Sequence, residues 1–302
     1  MFKRSLALAL VAGSLAFAGE YWHNDDVTMK FLSMSVSARS AAMSGAGVAD
    51  AGRVSEVSRN PLAMSVADKA EIGLNQIVFD EANAGSYTSV YYGLPFWEKY
   101  ATSFALEYLG YDDLKGYDED GNPTSEFGAY AWALQAGLGS HNKVFNWAFS
   151  GRFASQTIDD ETGYLFAGDL GGSFRVNRYL AFATTLTNAG YATKYIDEKN
   201  YPPMALQAGL TGTIPFNENW ILSLSADAYR RSDTDPQWLF GGELSFYEIL
   251  YLRGGYAIRP DTEDAISAGV GLAFGAIVFD YGYSPRKAFN AGNHLFTLGM
   301  KF

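Results

Sequence analysis

The chain contains no cysteine. That excludes disulfides, thiolate metal sites and cysteine nucleophiles. Histidine is scarce: His23, His141 and His294 fall in the N-terminal segment, an inner turn and the last hairpin, so they do not converge on one metal centre. Positive charge is also short, with 22 Lys and Arg against 33 Asp and Glu and a formal net charge of −11. Such an acidic balance argues against nucleic acid as a partner and against a broad patch for anionic lipid. Beyond the N-terminus no stretch approaches the roughly 18 consecutive apolar residues of a membrane-spanning helix. No G-x-S-x-G elbow occurs. Glu107, Asp169 and Asp227 are acid–base candidates only if the fold gathers them around a nucleophile, and none is evident. No catalytic residue, metal site or cofactor is expected, and the chain does not read as an enzyme.

What is present is aromatic residue and alternation. The chain holds 20 Tyr, 21 Phe and 6 Trp. Its last stretch, HLFTLGMKF, sets Phe296, Leu298, Met300 and Phe302 on one face and Leu295, Thr297, Gly299 and Lys301 on the other. A period-2 strand closing on a terminal aromatic is the usual end of an outer-membrane β-barrel. Phe145, Trp147, Phe149 and Phe153 likewise oppose Asn146, Ser150 and Arg152. Side chains alternate across a sheet, so the large apolar set faces lipid and the small and polar set faces a lumen. Fourteen strands are predicted, over 70–80, 86–95, 99–109, 126–139, 144–156, 162–175, 178–188, 203–214, 219–230, 237–247, 250–259, 265–274, 276–284 and 293–302. With the C-terminus in the periplasm, the long connections 110–125, 157–161, 189–202, 231–236, 260–264 and 285–292 fall outside, as a barrel requires. A brief outer connection near 81–85 is the exception.

The acid collects in those outer connections, from Asp112, Asp113, Asp118, Glu119 and Asp120 through Asp159, Asp160 and Glu161, Asp197 and Glu198, to Asp233, Asp235, Asp261, Glu263 and Asp264. A solvated, repulsive surface accounts for this; bridging of the anionic outer leaflet by divalent ions is the alternative. The Tyr117–Asn122 run lacks the full spacing and terminal Glu of a calcium loop.

Three parts are expected. Residues 1–18 have the form of a signal peptide, with Lys3 and Arg4 before the apolar run Leu6–Leu15 and Ala16-Phe17-Ala18 as the cleavage site. Residues 19–69 form a periplasmic N-terminal segment and plug, and 70–302 the barrel. Residues 31–66 are rich in Ala, Ser, Gly and Met, too apolar for easy solvation, with two turns of helix expected near 38–50 and a turn at Asn60-Pro61. Within the barrel, Glu107, Arg152, Asp169, Asp227, Glu243, Arg253, Asp280 and Lys301 point inward. Their mixed signs suggest paired networks filling the lumen. A turn at 247–249 pairs residues whose numbers sum to 496, which sets Glu243 opposite Arg253.

The stretch Ala38-Arg39-Ser40-Ala41-Ala42-Met43-Ser44-Gly45-Ala46-Gly47-Val48-Ala49, followed by Asn60-Pro61-Leu62-Ala63, resembles the N-terminal signature of the PorV/PorQ family. Ala38, Arg39, Met43, Gly45, Ala46, Val48, Ala49, Asn60 and Pro61 match. Ser44 replaces the first glycine of a pair, Leu62 replaces an alanine, and the intervening DAGRVSEVSR is more basic than usual. The resemblance implies a fourteen-stranded barrel of the fatty-acid-transporter (FadL-like) type in the cell outer membrane. It also implies association with type IX secretion, with secretion-machinery proteins and cargo C-terminal domains as partners beside outer-membrane lipid and lipopolysaccharide. A passive FadL-like channel for hydrophobic small molecules and a structural outer-membrane protein are the alternatives. Read from the residues alone, the motif's small side chains allow close packing on the barrel wall, and Arg39 is placed to pair with a lumenal carboxylate.

Overall fold

The computed structural model describes residues 26–302 apart from 51–52, 67, 81–84, 112–113, 119, 141, 195–199, 262–263 and 287–290. The expected signal peptide, His23, His141, Asp112, Asp113, Glu119, Asp197, Glu198 and Glu263 lie outside the described residues.

Alternating side chains and tight turns give β1 (Glu71–Phe79), β2 (Ser86–Phe96), β3 (Tyr100–Gly110), β4 (Leu114–Tyr117), β5 (Pro123–Phe127), β6 (Ala129–Ser140), β7 (Phe145–Ile158), β8 (Glu161–Asn177), β9 (Leu180–Ala192), β10 (Ala205–Pro215), β11 (Trp220–Arg231), β12 (Gln237–Phe246), β13 (Leu250–Ile258), β14 (Ala265–Phe274), β15 (Ile277–Arg286) and β16 (Ala291–Lys301). Fourteen of them form a closed antiparallel barrel, in which β1 meets β16 from Glu71 opposite Lys301 to Phe79 opposite Asn293. Closure leaves no free sheet edge, which a strand in hydrocarbon requires. β4 and β5 pair only with each other.

Two expectations are corrected. The fourth strand, expected over 126–139, runs Ala129–Ser140; its expected beginning belongs to the β4–β5 hairpin. The connection expected to be long over 157–161 is a turn at 159–160 alone, because β7 and β8 pair up to Ile158 opposite Glu161 and Asp159 takes the left-handed conformation (φ 54°) that a tight hairpin needs. The remaining parity holds. The 97–99, 178–179, 247–249 and 275–276 connections close one end, and the β4–β5 hairpin and the 193–204 connection lie at the other.

The outward faces carry the large apolar groups, including Phe104, Leu134, Phe149, Phe166, Leu224, Phe240, Ile266 and Leu298, all exposed. Near the short-turn end Phe96 stacks on Trp97 at 4.4 Å between ring centroids, and Trp220 meets Phe246 edge-on at 4.5 Å. Tyr108, Tyr130, Tyr164, Trp238 and Tyr256 stand exposed toward the long-loop end. These are the two aromatic girdles of a membrane barrel. The protein's core therefore lies inside the barrel.

That interior is filled by residues 27–66. The chain makes a 3₁₀ turn (Lys30–Ser33), helix α1 (Ala38–Ala42), a 3₁₀ turn (Val54–Glu56) and a 3₁₀ helix (Pro61–Val66). The expected two turns of helix shorten to α1, since Ser44, Gly45 and Gly47 adopt φ of 54°, 83° and 107° and break it. Residues 26–30 lie at the long-loop end, where Val27 bridges Tyr201, while Glu71 begins β1 at the opposite end.

Candidate functional site: the plugged lumen

Helix α1 rests on a glycine bed. A Cβ at Gly255 would stand 2.3 Å from the Met43 carbonyl carbon, and one at Gly282 would stand 2.5 Å from the Ala38 carbonyl oxygen. Only glycine on the wall and alanine on the helix permit this approach. It is the close packing expected of Ala38, Met43, Gly45 and Ala46. Ser44, where the resembled signature has glycine, keeps the left-handed backbone and spends its hydroxyl on Ser267 Oγ at 2.7 Å.

Arg39 then enters the wall's charges. Its Nε donates to Glu243 Oε2 at 2.9 Å, one terminal nitrogen to Glu56 at 2.9 Å and the other to Asp50 at 2.7 Å. Glu243 also accepts from Arg253 Nε at 2.6 Å; Arg253 reaches Asp280 Oδ1 at 2.7 Å, and Arg53 reaches Asp280 Oδ2 at 2.7 Å. Charges alternate from the plug into β12, β13 and β15, and the expected opposition of Glu243 and Arg253 is present in the register. Burial alone would push the Arg39 guanidinium down; Glu243, Glu56 and Asp50 outweigh it and hold the group well above the ordinary arginine range. Burial pushes the Glu56 carboxyl up, and Arg39 only partly counters it.

Asp227 takes a different role. One carboxylate oxygen accepts the N–H of Gly47 at 2.8 Å, the N–H of Val48 at 2.9 Å and the Gln207 amide at 2.7 Å, so it caps the turn that ends the motif. Asn60 Oδ1 accepts the Leu62 N–H and its amide donates to Val48 O, which joins the two halves of the motif and starts the helix at Pro61. Lys301 sits 3.6 Å from Glu71 at the short-turn end.

On the opposite wall Arg152 lies 3.5 Å from Asp169 and 3.9 Å from Glu107, all three buried. Asp169 is held by Gln135, Ser150 and the Asn188 N–H. Glu107, Asp169 and Asp227 thus stay apart in separate networks. Among the described residues no cluster of metal-ligating groups forms. Sequence reasoning missed Asp50, Arg53, Glu56, Asn75 and Gln207. The basic DAGRVSEVSR insertion was the one available signal for the first three. Nothing marked Asn75, whose amide donates to Ser55 O and whose carbonyl accepts from Thr297, itself accepting the Ala38 N–H.

Toward the long loops the interior turns apolar. Met29, Phe31, Leu32 and Val36 pack on Ile77, Tyr87, Leu109, Leu165, Ala192 and Leu295, with Phe31 edge-on to Tyr87 at 6.0 Å. This strap is fastened by the Thr28 N–H on Tyr201 O at 3.1 Å and by Lys30 on Asp233 at 2.9 Å. Burial would push the Asp233 carboxyl up, but Arg231 and Lys30 outweigh it and hold it below the ordinary aspartate range. Beside the strap the wall is broken. Asn188 bulges out of β9 at φ 56°, and the β9–β10 ladder ends at Thr187 opposite Ala205. Pro202 and Pro203 carry no N–H to extend it, and Asn188 Nδ2 on Pro203 O spans the gap. A cavity within the plug, bordered by Ser37, Ser40, Glu56, Arg59 and Gln207, measures about 20 Å³, room for about one water.

No family model and no curated protein matches the chain. Solved structures do. The Ralstonia pickettii toluene transporter TbuX aligns with a TM-score of 0.62 at 16% identity over 88% of this chain and 98% of that one. The Pseudomonas putida toluene transporter TodX aligns with a TM-score of 0.54 at 12% identity over 87% and 96%. A Pseudomonas aeruginosa FadL homologue aligns with a TM-score of 0.53 at 11% identity over 87% and 97%. At these identities the likeness is one of fold: the chain is an outer-membrane-type, FadL-like β-barrel.

Proposed function

We propose that the protein is a passive channel of the outer membrane for apolar small molecules. The observation that carries this reading is the break between β9 and β10 beside a chamber filled by the chain's own Met29, Phe31 and Leu32. A solute that replaces those side chains finds apolar walls, and the interrupted ladder gives it a way toward lipid without breaking backbone hydrogen bonds. Two proteins of the same fold are described as toluene transporters, and an apolar solute suits the chamber here. The partners in this reading are outer-membrane lipid and lipopolysaccharide, and no catalytic step is assigned. The test is uptake of radiolabelled toluene by cells with and without the protein. Faster uptake with the protein is expected; equal rates would refute it.

The plug motif favours a second reading, a component or accessory of type IX secretion and surface attachment, because Ala38–Ala49 and Asn60-Pro61 resemble PorV/PorQ proteins. It predicts co-purification with cargo C-terminal domains and retention of cargo in the periplasm when the protein is removed.

A further inference from the structure

One stretch of the wall is polar, buried and unsatisfied. Ser89 stands opposite Glu107 on β2 and β3, and Gln135 opposite Arg152 on β6 and β7. The plug closes over them, with Ser58 O accepting from Arg152 Nη2. Ser58 Oγ, Ser89 Oγ, Ser103 Oγ, Glu107 Oε2, Gln135 Oε1, Arg152 Nε and Nη1, and the Tyr87 hydroxyl are all buried without a well-formed hydrogen bond among the described residues, the Tyr87 hydroxyl lying beside the Glu107 carboxylate. Arg152 Nη1 and Glu107 Oε2 face each other at 3.9 Å, attracted but too far apart to bond.

The mixture of atoms selects the occupant. Arg152 supplies stranded donors; Glu107 and Gln135 supply stranded acceptors; the serines are both. An anion would meet Glu107, a metal cation would meet Arg152, and a hydrocarbon would satisfy neither. Water donates and accepts, and buried water typically makes about three such bonds. The seam is sealed at each end. Above it, Phe31 packs edge-on to Tyr87. Below it, the Pro61–Val66 helix presses on a glycine floor, where a Cβ at Gly137 would stand 2.3 Å from Met64 Sδ.

We infer that this seam between the plug and β2, β3, β6 and β7 is a hydrated compartment, closed below by the Pro61–Val66 helix and opened to the long-loop side when the Phe31 seal is lost. The compartment is distinct from the break beside β9, and it stands whatever apolar solute the protein carries.

The absence of cysteine makes the test specific, since any introduced thiol is unique. Ser89→Cys is placed in the native chain and in a Phe31→Ala background, with the apolar, buried Ala183→Cys as control. Each variant is checked for folding by its heat-modifiable gel band, and Ser103→Cys replaces Ser89→Cys if the latter does not fold. Purified barrels in detergent micelles are treated with 2-aminoethyl methanethiosulfonate, and the modified fraction is followed in time by mass spectrometry. The S89C thiol is expected to react at least about tenfold faster once Phe31 is removed. The control should stay inert. Two results overturn the inference: an S89C thiol as inert as the control when Phe31 is gone, or one that reacts as fast in the native chain as without Phe31.

Discussion

The two ends of the plug are held by different physics. Residues 38–66 are clasped by directional bonds: Arg39 on three carboxylates, Arg53 on Asp280, and Asp227 on two backbone N–H groups. The strap, residues 26–36, is held mainly by apolar contact of Met29, Phe31, Leu32 and Val36, with a bridge and an ion pair at its edge and hydrogen bonds from Arg59 to Ser33 O and from Ser40 to Ser35 where it meets the clasp. Apolar contact is non-directional and tolerates replacement of one apolar group by another. A buried charge network does not, since removing one member leaves its partners uncompensated. The clasp is therefore the fixed part of the plug and the strap the exchangeable part.

The comparison breaks most severely at Glu243. This carboxylate serves both Arg39 and Arg253, so Glu243→Ala takes one carboxylate from each of two buried cations and should cost about 3–5 kcal/mol. The measurement is the temperature at which the heat-modifiable band shifts, and a shift within a degree or two of the native protein would place the clasp's strength elsewhere. A smaller effect is expected at Ser44. Ser44→Ala keeps the left-handed backbone and loses the bond to Ser267, whereas Ser44→Gly relieves the backbone. The alanine variant should be the less stable by about 1 kcal/mol; the reverse order would mean that the backbone conformation is not what the position selects.

The smallest effect belongs to the strap's ion pair. Lys30 is 54% exposed, so Lys30→Ala should cost less than about 1 kcal/mol. The Asp233 carboxyl is held low. Its contribution is then full above the ordinary aspartate value near 4 and is lost as pH falls through the lower folded value. Strap release, followed by hydrogen exchange at the Thr28 N–H that bonds Tyr201 O, should rise only in that acid range, and in Lys30→Ala the dependence should flatten.

Much of this was legible because a barrel writes its register into period and turn length. The turn at 247–249 gave Glu243 opposite Arg253 from numbering alone, and the structure has that pair. β16 was expected over 293–302 and runs Ala291–Lys301. The β4–β5 hairpin was not legible, since it continues the strand-like pattern of 126–139 in a loop that never joins the wall. The clasp was half legible. Arg39 and the inward charges of the strands follow from the motif and alternation, but Asp50, Arg53 and Glu56 sit in an irregular segment with no period to say which way they point. Of the strap only the part from residue 31 on was legible, as the start of an apolar plug; its exchangeable role was not, because Met29, Phe31 and Leu32 form no repeat and fill a chamber assembled from β1, β2, β3, β6, β7, β8, β9 and β16.

The central claim is that the strap moves and the clasp does not. Two cross-links test it in a chain with no other cysteine. Val27→Cys with Tyr201→Cys ties the strap to the loop it bridges. Ser44→Cys with Ser267→Cys ties the clasp to the wall where the hydroxyls lie 2.7 Å apart. Toluene uptake, measured oxidised and then reduced, should be blocked by the first link and restored by reductant, and unaffected by the second. Uptake blocked by the clasp link, or untouched by the strap link, would contradict the account.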